Sequence, residues 1–209
     1  TFRVFSLDRE EPTEIHYAST NQAPVELEFH RHERSIDYAY EGPPGMTFFR
    51  LVPGNDGTMT REPVAQVEIP ANEDEVLILF LPTASLLDRE RPASSLEYST
   101  LWLDDSESGF PYGTMRVVNA CGAQLVGQVG DERLALPYSI TEPYAIDRLD
   151  VNNNRWIPFA FAIETPAGYE IVYRNELQFE ADRPGPTVLR PPPRPRSPRP
   201  ETSLPAQRK

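Results

Sequence analysis

The sequence predicts an all-β protein: an antiparallel β-sandwich built as two Ig-like sandwich units in tandem, followed by a disordered proline- and arginine-rich C-terminal tail. Three observations carry that expectation. Apolar and polar residues alternate with period two through one short segment after another, and none of these segments has the 3.6-residue period of an amphipathic helix. Dense turn signals separate them, Gly42 to Gly45 and Pro53 to Gly57 among the clearest. Proline numbers 23 in 209 residues, about twice the ordinary share, as many strand ends and turns require.

Taken in order, FRVFSL (2–7) reads as the first strand and IHYAS (15–19) as a second. VELEFHRH (25–32) follows, with Val25, Leu27 and Phe29 on one face and Glu26, Glu28, His30 and His32 on the other. MTFFRLV (46–52) leads to Asn55-Asp56-Gly57, the strongest hairpin turn in the chain, because Asp and Gly tolerate the backbone that such turns demand. VAQVEI (64–69) then runs into EVLILFLP (75–82), which is apolar on both faces and belongs near the centre of a core. Beyond a linker-like stretch, 83–95, LEYSTLWL (96–103) ends in the acidic loop LDDSESGFPYG, and TMRVVNA (114–120) and AQLVGQVG (123–130) are two further strands. WIPFAFAIETPAGYEIVYRNELQFEA reads as a hairpin turning at Pro166-Ala167-Gly168, with Pro158 marking an edge position or a bulge.

Two matches suggest a duplication. LEF (27–29) and LEY (96–98) stand 69 residues apart, as do MTFFRLV and MRVVNAC (115–121). PVAQVEIPANEDEVLILFL from Pro63 resembles PYAIDRLDVNNNRWIPFAFA from Pro143, at an offset of 80 that leaves eleven extra residues near 122–138. A tandem repeat then divides the chain into a unit at 1–92, a second at 93–183 and a tail at 184–209. The tail has seven prolines after Thr187 and no aromatic residue, so it lacks the apolar surface to fold and reads as disordered or polyproline II.

Charge restricts the partners. The chain carries -12, while from Thr187 onward six cations (Arg190, Arg194, Arg196, Arg199, Arg208, Lys209) face Glu201, a net of +5 that leaves -17 on the body. So acidic a body repels phosphate backbones and argues against nucleic-acid binding outside the tail. The tail's Arg-Pro repeats suit a spacer or a basic arm toward an acidic partner. Cys121 is the sole cysteine, so no intrachain disulfide is available. The longest apolar run, Val76 to Leu81, has strand length and predicts no transmembrane segment. A start at Thr1 suggests trimming of an export signal, with an extracytoplasmic protein as the expectation.

Candidate sites are few. Asp104, Asp105 and Glu107 form an oxygen-rich loop of the kind that holds Ca²⁺, and Phe110 and Tyr112 beside them are placed to stack on a ligand. The competing reading is a solvated turn with core aromatics. Asp150 to Asn154 begins like an EF-hand loop and fails at Arg155 and Phe161, which leaves an Asn-rich turn. His30 and His32 share a strand face with Glu28, a spacing that one Zn²⁺ could bridge but that alternation alone explains. No nucleophile elbow or phosphate-binding glycine loop occurs, and Cys121 reads as packing. The expectation is therefore no cofactor, with Ca²⁺ the one alternative.

By FPYGTMRVVNACGAQLVGQVG, with PVAQVEIP followed by EVLILFLP, the chain resembles an uncharacterised family of exported all-β bacterial proteins of the verrucomicrobial type, over residues 1–180 or so. That resemblance implies an all-β fold and an envelope or extracellular setting, and no catalytic residues. The sequence thus points to a non-enzymatic structural or interaction protein that assembles, with a protein partner or with itself, through sheet edges and loops. Its rivals are a carbohydrate- or Ca²⁺-dependent binding module using the Asp104 to Tyr112 loop and, further off, a small hydrolase.

Overall fold

The computed structural model describes residues 1–8, 11–30, 33–83, 96–111, 114–119, 124–136, 144–145, 156–166, 168–178 and 185–189. These residues hold fourteen strands and no α-helix, so no helix among them is long and apolar enough to cross a membrane. In chain order the strands are β1 (Phe2–Ser6), β2 (His16–Tyr17), β3 (Val25–Glu26), β4 (Gly45–Pro53), β5 (Met59–Glu68), β6 (Val76–Pro82) and β7 (Tyr98–Asp104). There follow β8 (Thr114–Asn119), β9 (Leu125–Val129), β10 (Glu132–Leu136), β11 (Tyr144–Ala145), β12 (Trp156–Thr165), β13 (Gly168–Gln178) and β14 (Gly185–Leu189). The all-β sandwich expected from the alternation is what these strands build.

They form four sheets, in the orders β3-β2-β4-β5, β1-β6-β7, β11-β8-β14 and β10-β9-β12-β13. Buried side chains stack the sheets in that sequence. Phe2, Val4, Val76, Ile78 and Phe80 on one face of β1-β6-β7 meet Tyr17, Met46, Phe48, Val64 and Val67 from the first sheet. Leu77, Leu79, Leu81 and Leu103 on its other face meet Phe110 and Val118. Val117, one residue before Val118 on β8, turns the opposite way and packs with Leu125, Val129, Leu136, Ile157, Phe159 and Phe161 of the last sheet. Alternation along β8 therefore joins two sandwiches face to face, because successive side chains leave a strand on opposite sides.

β6 holds the centre, as its uninterrupted apolar run predicts. It lies between β1, parallel, and β7, antiparallel, and Val76 through Leu81 are all buried. Phe80 is fully buried with ring centroids 5.2 Å from Phe29, 4.9 Å from Phe48 and 5.8 Å from Tyr98. The β4–β5 hairpin turns at Asn55-Asp56-Gly57 for the expected reason: Gly57 has φ +79°, Gly54 N–H donates to Thr58 C=O at 2.7 Å, and Asp56 Oδ1 accepts from Thr58 N–H at 3.0 Å. At the sandwich rim the Arg50 guanidinium forks onto the Glu97 carboxylate, with 3.0 Å from Nη2 to Oε1, and ties β4 to the residue that precedes β7.

Several expectations are corrected. Tyr98–Asp104, assigned to the second unit at 93–183, pairs with β6 along its whole length and belongs to the first sandwich. The seam therefore lies between Asp104 and Thr114 rather than at 92 and 93. Gly185–Leu189, the start of the 184–209 tail, forms β14, parallel to β8; residues 190–209 lie outside the described residues. The repeat does not carry through. β4 has only antiparallel neighbours, whereas β8, its match at offset 69, has a parallel one. Of the second match, β5 to β6 runs from an outer sheet to an inner one, and β11 to β12 the reverse. Only Val25–Glu26 of VELEFHRH is strand, and Val25 is exposed while Leu27 and Phe29 are buried. Pro158 is neither at an edge nor at a bulge: β12 lies between β9 and β13, and the bulge falls at Phe161/Ala162. Within the stretch of extra residues, a β9–β10 hairpin turns on Gly130, at φ +56°.

Two substitutions report on this packing. Phe80→Ala removes the ring at the centre of the first core and is expected to cost about 3–5 kcal/mol in urea unfolding. A Cβ at Gly127, on the inner strand β9, would run into the Ala160 carbonyl and the Phe161 ring. Gly127→Ala is therefore expected to cost about 1–3 kcal/mol.

Candidate functional site

The acidic loop that follows β7 is where the sequence concentrates its candidate ligands, and its geometry is set by alternation along that strand. Asp104 ends β7 opposite Val76, and Asp105 therefore turns to the other side, toward the seam between the sandwiches. Its backbone N–H donates to Glu75 C=O at 2.9 Å, and its side chain is only 2% exposed. Oδ2 accepts from Arg3 Nη1 at 2.9 Å and from Arg34 Nη1 at 3.2 Å, while Oδ1 lies 2.9 Å from the same Arg34 nitrogen. Arg3 also reaches Asp37 Oδ1, 2.7 Å from its Nε. Burial pushes the Asp105 carboxyl above its usual range, opposed by Arg34 and Arg3 and assisted by Glu75. The Asp37 hydrogen bond in turn raises Arg3.

The rest of the loop is knitted to itself. Asp104 Oδ1 accepts from Ser106 N–H at 2.9 Å, Ser106 Oγ accepts from Gly109 N–H at 3.0 Å, and Phe110 N–H donates to Ser106 C=O at 2.8 Å. The Asp104 carboxylate fills the space where a Cβ on residue 109 would stand, so only glycine fits there. Phe110 is buried, 5.7 Å from the Arg34 guanidinium and 5.5 Å from that of Arg116 on β8. Arg116 also donates from Nη2 to the Gly109 carbonyl. First sandwich, loop and second sandwich are thus held together by one chain of contacts, Arg34 to Phe110 to Arg116.

Two expectations fall with this geometry. Asp104, Asp105 and Glu107 do not share a coordination shell: Asp105 is taken by two guanidiniums, Asp104 by its own loop, and no group of three His, Cys, Asp or Glu among the described residues is placed to hold a metal. Phe110 is a buried packing residue, not a stacking platform. Tyr112, Cys121, His32 and the Asp150 to Asn154 turn lie outside the described residues. His30 is exposed and bridges to Glu33; His16 stacks on Phe49 at 6.2 Å with Nδ1 against the Glu14 carbonyl. The two do not converge on a shared carboxylate.

A separate depression of about 230 Å³ lies at one end of the first core, lined by Phe2, Tyr40, Pro43, Met46, Ile69 and Pro70, with Glu73 at its rim. It has no nucleophile and no histidine. The functional features that sequence reading missed are Arg3, Arg34 and Arg116 around the loop, and an open sheet edge at β13. Nothing in the alternation distinguishes these arginines from solvent-facing ones, since each occupies an ordinary polar position.

Asp105 makes the clamp sensitive to pH. A folded pKa raised above the unfolded one favours the neutral acid in the fold. Its contribution is therefore complete below the ordinary Asp range of about 3.9 and is lost as pH rises through the folded value. Urea midpoints of the native chain and of Asp105→Asn between about pH 3 and 7 should show the native chain's relative stability falling as pH rises. A difference that grows with pH in favour of the native chain would mean that the two arginines outweigh burial.

No known family model matches the chain, and neither a curated protein nor a solved structure is significantly similar to it, so its function rests on the residues described above.

Proposed function

We propose that this protein is a non-enzymatic structural or interaction component, working in the envelope or extracellular space, which takes up a partner by strand addition at β13. The observation that carries this reading is the free edge of that strand. β13 ends its sheet and, at eleven residues, is the longest strand in the described chain. Pro158 shows which way its polar groups point. The Pro158 carbonyl accepts from Gly130 N–H at 2.8 Å, so the backbone of Pro158 faces β9 and leaves its β13 partner, Glu176, unbonded to β12. Glu176 N–H instead receives its own neighbour's side chain, Asn175 Oδ1, at 2.9 Å. By alternation Arg174 and Glu176 present N–H and C=O groups to the outside of the sheet.

Other edges in the molecule are blunted. β3 and β11 have two residues each. β1 is covered by the Ser35–Tyr38 segment, through Ser35 N–H to Val4 C=O at 3.0 Å and Tyr38 N–H to Phe2 C=O at 2.8 Å. β5 carries Pro63 beside its bulge and β14 carries Pro186. β13 alone combines length with an uninterrupted set of donors, and Tyr169 and Ile171 near its start are 67% and 58% exposed.

The absence of a converging catalytic set among the described residues gives no support to the hydrolase reading, and the buried Asp105 and Phe110 remove the loop on which the carbohydrate reading depended. Glu176→Pro deletes the outward donor while leaving the ladder to β12 intact. The native chain, immobilised and exposed to a native envelope fraction, is expected to retain a partner that Glu176→Pro loses while melting at nearly the native temperature. Equal retention by both chains, or none by either, would overturn the edge reading.

A further inference from the structure

The same edge carries information about what pairs with it, and the following rests on the edge reading above. We infer that the partner strand is β13 of a second copy of this chain, antiparallel and centred on Asn175. The bulge at Phe161/Ala162 leaves Val172 without a partner on β12, so the regular part of the edge runs from Tyr173 to Gln178. Within it, Arg174 and Glu176 point their backbone groups outward, and Tyr173 and Asn175 point theirs to β12. Two copies related by a two-fold axis must therefore place an outward residue opposite an outward residue, which leaves three centres: Arg174, Asn175 or Glu176.

Charge decides among the three. Centring on Arg174 sets Arg174 against itself, and centring on Glu176 sets Glu176 against itself, a like-charge opposition in each case. Centring on Asn175 places Arg174 of one copy opposite Glu176 of the other, and the two-fold axis makes that contact twice. Both side chains leave the sheet on the same face, because their β12 partners Ala160 and Pro158 flank the inward-facing Phe159. In this register Arg174 N–H and C=O exchange both hydrogen bonds with Glu176 of the second copy. The Asn175 amide that now caps Glu176 N–H gives way to a main-chain carbonyl. Glu170, at the far side of the bulge, lies outside the paired stretch and opposes no carboxylate. The result is one continuous eight-stranded sheet, twice the four strands of β10-β9-β12-β13.

The test is a charge exchange read by sedimentation equilibrium, with thermal melting to establish that each variant folds. Both positions are exposed, so the melting temperature should hardly move. The native chain is expected to reach twice its 23.7 kDa mass at high micromolar concentration. Arg174→Glu alone and Glu176→Arg alone each replace two attractions by two repulsions and should weaken association about tenfold or more. The double variant, Arg174→Glu with Glu176→Arg, restores opposite charges across the axis and should recover the native dimer. Failure of that recovery, or singles that associate like the native chain, would overturn the register. A native chain that stays monomeric yet retains an envelope partner lost with Glu176→Pro would overturn the second copy and leave the edge reading standing; a monomer that retains nothing would overturn both.

Discussion

The burial of β6 on both faces is the constraint from which the architecture follows. A strand that alternates apolar and polar residues needs one covering layer, and a two-layer sandwich satisfies it. β6 places Val76, Ile78 and Phe80 on one side and Leu77, Leu79 and Leu81 on the other, all of them buried. One sandwich covers only the first set. The second set needs a further sheet, and β8 supplies it with Val118 while its neighbour Val117 faces the last layer. Two sandwiches are thus not strung on a linker. They share the middle of a four-layer stack because one strand has no polar face to give to water.

That requirement explains how much of the fold was legible. The two-sided apolar run EVLILFLP announced a central strand, and the Asn55-Asp56-Gly57 turn and the alternation of MTFFRLV announced the hairpin before it. The sequence of β7 was equally clear as a strand, but its membership was not. Local pattern states which residues point inward and leaves open which sheet they point into, so Tyr98–Asp104 was grouped with what followed it rather than with β6, 16 residues or more upstream in the register pairing of Pro82 with Tyr98. Parallel pairing was hidden for the same reason. β14 lies at the head of a proline- and arginine-rich stretch, and its pairing to β8 is a long-range contact with no local signature.

The acidic loop shows the same limit at the level of single residues. Asp104, Asp105 and Glu107 look alike in sequence, and metal coordination needs them to converge. One residue of alternation sends Asp105 into the seam, where two guanidiniums meet it, and leaves Asp104 to hold the loop's own backbone. What decides their roles is the position of Arg3 and Arg34, far away in the chain, and no spacing rule contains that. Phe110 follows the same logic: a loop aromatic becomes a core residue because Arg34 and Arg116 close over its ring from two different sandwiches. The loop is consequently the joint between the sandwiches, and its buried carboxylate is the part of that joint for which solvation and ion pairing work against each other.

Edge strands are where a stack of sheets must either stop or continue, and the way each edge is treated distinguishes the two. Short strands, proline and covering loops stop pairing with any partner at all. Charged residues act differently, since they reject registers that bring like charges together and accept one that brings opposite charges together. β13 carries Glu170, Arg174 and Glu176 on an otherwise unobstructed strand, so it belongs to the second kind. The bulge at Val172 adds a length limit by ending the straight edge before Glu170 enters the pairing. A contact centred on Asn175 is isologous: each copy uses the same surface, and the association closes at two. A long free edge in an all-β protein is ordinarily a template for open-ended growth, and here a charge pattern of opposite signs beside a bulge is the physical means by which one strand can be open to a partner without being open to a fibre.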